Sequence, residues 1–140
     1  MKRYYFAHPY ATKEIVRGKE LEWESRYDIE IVNPFFDLNR DDVTALEELR
    51  ITRRQLDCNT LVQKDLIAIQ SCDAIIAYIS GDRSIGTPME VFFSWQLHKP
   101  VHAIVTCGED DHPWLRRCCE EIYLSFDEFE HEELLWEGDE

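Results

Sequence analysis

The feature that most restricts how this chain can fold is the passage from Cys72 to Glu90, where a buried strand gives way to a polar turn and then to a helix. Residues 74–79 (Ala-Ile-Ile-Ala-Tyr-Ile) are a short apolar run almost without interruption. That is the pattern of a parallel strand covered on both faces. Gly81, Asp82 and Ser84 then bring in turn chemistry. Helical signals follow at once. Thr87 is a good N-cap, Pro88 suits the first helical position, and Glu90 lies three residues after the cap, where a capping box would close. Open α/β sheets bind ligands where a strand ends in a polar loop and a helix N-terminus. Residues 80–90 are therefore the first place to seek function.

The flanking sequence repeats the alternation of strand and helix. Tyr4 to Ala7 reads as a first strand left through His8-Pro9-Tyr10, and residues 12–26 as a helix with Thr12 as its cap. Residues 28–32 alternate as a second strand and stop at Asn33-Pro34. The stretch 35–44 is long for a connector and is expected to border the pocket. Helices are predicted over 45–56, with Arg50, Arg53 and Arg54 on a solvated face that could attract an anionic substrate at longer range, and from Asn59 or Thr60 onward, with Leu61, Val62, Leu66, Ile67 and Ile69 as its apolar stripe. A helix from Pro88 to about His98, a fourth strand at 101–105, a short helix at 113–117 and a fifth strand at 122–124 complete the pattern. Ser125 to Glu128 forms a capping box that opens a last acidic helix. This order predicts a doubly wound three-layer α/β/α domain of flavodoxin or Rossmann type, with a five-stranded parallel sheet in the order 2-1-3-4-5. The switch point between the first and third strands then brings His8-Pro9-Tyr10 beside residues 81–90.

The 140 residues suit one domain, 1–140, with a hydrophobic content of 44%. The formal net charge of −14 argues against a nucleic-acid partner, since phosphate backbones require clustered Lys and Arg. Much of that charge lies in residues 125–140 and reads as a solvated helix face or tail. No apolar run is long enough to span a membrane and no signal-peptide pattern opens the chain, so a cytoplasmic protein is expected. Five cysteines without framework spacing are expected to be free thiols. Cys107, His112, Cys118 and Cys119 lack the spacing of a metal site, so no metal and no cofactor is expected.

Several side chains in the predicted crevice can carry chemistry, each against a plainer reading. Glu90, near a helix N-terminus, would be kept ionised by the dipole, which suits a nucleophile; the spacing from Thr87 favours a simple capping box. Asp65, beside an apolar stripe, suits a proton donor to a leaving group, although most such acids are surface residues. Asp73 reads as structural. Ser84, with the amides around Gly86 and Thr87, forms a candidate anion nest to which Arg83 can contribute, against the plainer reading of an ordinary turn. His8 and Tyr10 either orient a substrate or cover the strand end. Tyr5 reads as strand packing, and His102 as a satisfied core histidine.

Three pieces together resemble the nucleoside 2-deoxyribosyltransferase superfamily, including its branch of nucleoside 5′-monophosphate N-glycosidases: Tyr5-Phe6-Ala7, Asp65-Leu66 placed eight residues before Asp73, and Ser84 to Glu90. His98-Lys99-Pro100-Val101 is similar to the family's usual Gly-Lys-Pro run into the fourth strand. The resemblance covers most of residues 3–105. It implies that Glu90 attacks the anomeric carbon, that Asp65 assists departure of the base, and that Tyr5 positions the nucleophile. Double displacement in glycosidases generally uses carboxylates about 5 Å apart. Residue 84 separates the branches, because transferases of free nucleosides tend to carry an acid there and monophosphate hydrolases a serine. Ser84 thus implies a nucleotide substrate. After Glu90 the family's Leu-Gly-Tyr-Ala is replaced by Val91-Phe92-Phe93-Ser94, which leaves room for a non-catalytic nucleotide-binding or sensing module. Base exchange between deoxynucleosides is the other alternative, and an interaction protein working through its acidic tail is the plainest. The resemblance also implies a homodimer or higher homo-oligomer, for which the aromatic helix 91–97 can supply the interface.

Overall fold

Side-chain alternation along the first strand, β1 (Lys2–Ala7), divides the core in two. Tyr4 and Phe6 enter one apolar cluster and Tyr5 and Ala7 the other, and all four are fully buried. In the computed structural model, which describes residues 1–38, Val43, Glu47 and 52–137, β1 is followed by α1 (Lys13–Arg26), β2 (Ile29–Val32), α2 (Cys58–Gln70), β3 (Ala74–Ile79), α3 (Gly86–Gln96), β4 (Val101–Val105), α4 (Pro113–Cys118), β5 (Glu121–Tyr123) and α5 (Phe126–Glu132). A 3-10 turn at Tyr10–Thr12 leads into α1, one at Arg53–Gln55 precedes α2, and one at Leu134–Glu137 follows α5. The sheet has five parallel strands in the order β2-β1-β3-β4-β5. The three-layer α/β/α architecture is thus the one expected.

One core layer packs Val16 and Trp23 of α1 and Phe129 of α5 against Tyr4, Phe6, Ile76 and Ile104. The other packs Ala68 and Ile69 of α2 and Val91 of α3 against Tyr5, Ile75, Ala77 and Val101. β3 lies in the middle and is covered on both faces, which is why its sequence does not alternate.

Three local expectations are corrected. The cap of α2 is Asp57, whose carboxylate accepts the Thr60 amide at 3.2 Å, not Asn59 or Thr60. Of the helix expected over 45–56, most falls outside the described residues, and Arg53–Gln55 is a 3-10 turn. The acidic C-terminal segment is not merely a solvated face. Glu130 accepts hydrogen bonds from Trp23 Nε1 at 3.2 Å, Tyr27 Oη at 2.6 Å and Arg26 at 2.6 Å, and Glu133 accepts from Tyr4 Oη at 2.8 Å and Lys2 at 3.3 Å. Burial alone would raise the Glu130 carboxyl, but the bonds from Tyr27, Arg26 and Trp23 outweigh it and hold it below its ordinary value. His102 is buried, with Tyr123 Oη 3.3 Å from Nδ1 and Glu133 3.5 Å from Nε2.

Between α3 and β4 the chain turns at His98 with φ 60°, the left-handed region that favours glycine. The structure therefore gives a reason for glycine at this point of a Gly-Lys-Pro run. Lys99 then reaches back to the Cys72 carbonyl at 2.6 Å. Replacing His98 by Gly is expected to stabilise the protein by about 0.5–1 kcal/mol, read as a higher urea midpoint with an unchanged slope.

Candidate functional site

The C-terminal ends of β1 and β3 diverge at the switch point, and a cavity of about 480 Å³ opens there. His8 and Tyr10 reach it from the loop after β1, Pro34 and Phe35 from the loop after β2, Leu61 and Asp65 from α2, and Arg83 to Thr87 together with Glu90 from the turn after β3 and the start of α3. His8, Tyr10, Asp65, Arg83, Ser84, Gly86, Thr87 and Glu90 therefore share one cavity, although they come from three separate parts of the sequence. Tyr5 lies beneath it.

Tyr5 faces the α3 side of the sheet because of the strand alternation, and it is fully buried. A phenolic hydroxyl removed from water requires an acceptor. Tyr5 Oη donates to Glu90 Oε2 at 2.5 Å, a charge-assisted bond that fixes the carboxylate at the cavity wall. The capping-box reading of Thr87 and Glu90 is corrected accordingly. α3 begins at Gly86, so both residues lie within its first turns, and its N-cap position is Ile85, without a side-chain cap. Ser84 does part of that work, since its hydroxyl accepts the Thr87 amide at 3.2 Å and donates to Thr87 Oγ1 at 2.9 Å.

The loop side of the cavity is aromatic and rests on a buried polar chain. His8 meets the Phe35 ring at 5.0 Å and Tyr10 meets it at 5.5 Å, while the Tyr10 hydroxyl donates to Glu47. Behind them Asn33 links His8 to Glu20, a fully buried carboxyl of α1 that also pairs with Arg17 at 3.1 Å. Desolvation pushes the Glu20 pKa up to about 7, against the pull of its bonds from Asn33 and Arg17.

Sequence reading gave Arg53 to a solvated helix face with at most a long-range pull on an anion, and missed its place in the cavity lining. The 3-10 turn places it on the cavity, opposite in chain origin to Arg83. Among the described residues, neither Arg53 nor Arg83 has an acidic partner. Phe35 was foreseen only as part of a bordering loop. The substitution of Val91-Phe92-Phe93-Ser94 after Glu90 leaves the helix regular, with Val91 in the core and Phe92 turned outward against Trp95 and Trp114.

No family model matches the sequence, and no curated protein matches it. Solved structures do. A 2-deoxyribosyltransferase from the psychrotolerant bacterium Bacillus psychrosaccharolyticus aligns with a TM-score of 0.70 at 17% identity, over 97% of this chain and 96% of its own. A conserved protein from Enterococcus faecalis V583 aligns with a TM-score of 0.68 at 15% identity, over 94% and 96% of the two chains. A CMP N-glycosidase from Clostridium botulinum aligns with a TM-score of 0.55 at 19% identity, over 96% and 99%. The chain has the 2-deoxyribosyltransferase fold. Within that fold, the three sequence pieces that carried the resemblance sit around one cavity: Tyr5 under it, Asp65 on one wall, and Ser84 to Glu90 on the other.

Gly86 has open space where a Cβ would stand, so no packing contact in the chain requires glycine there. It nevertheless lines the cavity at the first residue of α3, where a ligand can approach the backbone closely. Gly86→Ala is therefore expected to leave thermal stability unchanged or raise it by about 0.5 kcal/mol, while weakening binding of a cavity ligand about tenfold. Parallel melting and titration measurements on the purified variant check both halves.

Proposed function

We propose that this protein hydrolyses the N-glycosidic bond of a nucleoside 5′-monophosphate, with Glu90 as nucleophile. The observation that carries the reading is the buried Tyr5 hydroxyl held on Glu90 at the wall of a cavity that also receives Asp65. A carboxylate with one oxygen tied down presents the other in a fixed direction, which lowers the entropic cost of attack. Glu90 Oε1 attacks the anomeric carbon as the bond to the base breaks, giving a glycosyl ester. Asp65 delivers the proton that the departing base requires. Water then attacks the same carbon, Asp65 takes its proton back, and the sugar phosphate leaves with Glu90 regenerated. Tyr10 and Phe35 form the aromatic wall against which a base can stack.

The preference for a nucleotide over a nucleoside rests on charge. In a chain of net charge −14, Arg53 and Arg83 face the same cavity as Ser84 and the start of α3, and no acid among the described residues neutralises them. Guanidinium groups, a hydroxyl and helix amides together suit a phosphate. The expected result with a panel of nucleosides and 5′-monophosphates is base release from at least one monophosphate, falling by roughly 10⁴-fold or more in Glu90→Ala. Ser84→Asp should lower kcat/KM for that nucleotide at least about tenfold by repulsion, with less effect on the nucleoside. Folded protein that releases no base from any of them would sink the proposal. Faster turnover with a new nucleoside when a second base is added would instead assign base exchange, and tight nucleotide binding unaffected by Glu90→Ala would assign a sensing module. No helix among the described residues is long and apolar enough to cross a membrane.

The protein is also proposed to self-associate through α3. Ile85, Met89 and Phe92 form one stripe at helical spacing, exposed by 71%, 67% and 43%, and Trp114 beside it is 66% exposed. Copies this acidic repel one another through most other faces, so an uncharged stripe is the favourable contact, and Ile85 belongs to both stripe and cavity. Phe92→Glu is expected to shift the sedimenting species to the monomer. An unchanged sedimentation profile, or a monomeric wild-type chain, would refute the contact.

A further inference from the structure

Asn33 is fully buried just after β2, and its neighbours distinguish the oxygen of its side-chain amide from the nitrogen. Its Nδ2 donates to Glu20 Oε1 at 2.7 Å, and its Oδ1 accepts the Phe35 amide at 3.0 Å. Turned over, the amide would set NH₂ against the Phe35 N–H and oxygen against a carboxyl oxygen. The Oδ1 end is therefore fixed, and it is this oxygen that lies 3.1 Å from His8 Nε2. His8 Nε2 must then be a donor.

The other ring nitrogen meets an oxygen as well. His8 Nδ1 lies 3.0 Å from the Pro9 carbonyl, which also accepts the Thr12 amide at 3.1 Å and the Thr12 hydroxyl at 2.9 Å. A neutral imidazole has one N–H and would point a lone pair at one of the two oxygens; an imidazolium satisfies both. Burial works the other way and lowers the His8 pKa, the bonds to Asn33 and Pro9 opposing it. The Phe6 and Phe35 rings pack edge-on against the imidazole in place of water. Among the described residues, the charged groups around this pocket are Arg17 and Glu20 on α1, Asp37 after β2, Lys13 and Glu47 beyond Tyr10, and Asp65, Glu90, Arg53 and Arg83 on the cavity. None of the described acids lies within ion-pair distance of His8.

We propose that Asn33, held by Glu20, is a positioning residue that makes His8 a doubly protonated recognition group, the imidazole taking up a proton from solvent when an anionic substrate fills the cavity. The proposal rests on the nucleotide reading above. A dianion near a buried imidazole supplies an opposite charge that no described acid places within ion-pair distance of it, and each ring nitrogen faces an acceptor oxygen, Asn33 Oδ1 or the Pro9 carbonyl. No bond within the protein breaks. The proton goes to Nδ1, because Nε2 already carries one for Asn33 Oδ1, so the lone pair that neutral His8 points at the Pro9 carbonyl is replaced by an N–H.

The test uses full-length Glu90→Gln protein, which cannot turn the nucleotide over, titrated with CMP and separately with inorganic phosphate at about pH 8, above the second phosphate pKa near 6. Nitrogen NMR of His8 reads the state of each ring nitrogen, and calorimetry in two buffers of different ionisation enthalpy counts the protons. Expected are a bound state with both nitrogens protonated, uptake approaching one proton per CMP, and loss of that uptake in His8→Gln. Asn33→Ala should return bound His8 to the neutral form with about tenfold weaker CMP binding, whereas Glu20→Gln, which keeps an oxygen for Asn33, should retain the uptake. CMP bound with His8 still neutral overturns this proposal and leaves the nucleotide reading standing. No binding of any monophosphate to folded protein removes that reading and this proposal with it. If Asn33→Ala does not fold, the His8 spectrum of the bound protein decides alone.

Discussion

A phenol with no access to water needs an acceptor, and the hydrogen bond from Tyr5 to Glu90 meets that need by joining the first strand to α3. The bond spans 85 positions of sequence and crosses from β1 to α3 over the switch point of the sheet. Its existence depends on three things at once. The strand alternation must turn Tyr5 toward α3, β3 must lie between β1 and β4 to carry α3 to that place, and α3 must start early enough for Glu90 to sit a turn inside it. Remove any one and a buried polar group is left unsatisfied, at a cost of about 1–3 kcal/mol. The contact that orients the candidate nucleophile is thus also a test of correct folding.

The negative charge of the chain is arranged around this centre rather than spread evenly. On the α1 and α5 side, Glu130 and Glu133 are consumed by Trp23, Tyr27, Arg26, Tyr4 and Lys2, so the acidic segment fastens the last helix over the buried aromatic cluster. On the cavity side, arginines stand without acidic partners among the described residues, and the carboxylates are Asp65 and Glu90, to which the proposed reaction gives its roles. The excess of acid elsewhere makes an uncompensated guanidinium informative, since a partner would have been easy to provide.

Strands and crossovers were readable because their signals are local: the apolar run of β3, the alternation of β2 and the turn residues between them. The order 2-1-3-4-5 followed from handedness and layering. What resisted reading was decided over distance. Thr87 and Glu90 have the spacing of a capping box, and only the position of Tyr5, far away in sequence, reveals why Glu90 turns to the sheet instead. Arg53 looked like part of a helical face because Arg50, Arg53 and Arg54 share helical spacing, whereas the chain tightens into a 3-10 turn at that point. Asn33 was read only as a strand stop, since nothing local announces a buried amide whose partners come from α1 and the loop after β1. For Tyr5, Asp65 and Ser84 the family resemblance supplied what periodicity did not.

Position in the sheet also explains why the polar chain behind His8 is tolerated. Glu20 and Asn33 are buried at the rim where β1 and β2 end, next to a cavity instead of inside the apolar layers. There the cost of burying a carboxyl is lowered by Arg17 and by Asn33, yet one oxygen, Glu20 Oε2, has no hydrogen-bond partner. A methyl-bearing residue of similar length would remove that cost and lose the fixed orientation of Asn33, after which His8 could rotate or change tautomer freely. The fold thus gives up some stability at this rim to hold one imidazole in a single orientation, and it does so at the cavity that Glu90 of α3 also lines.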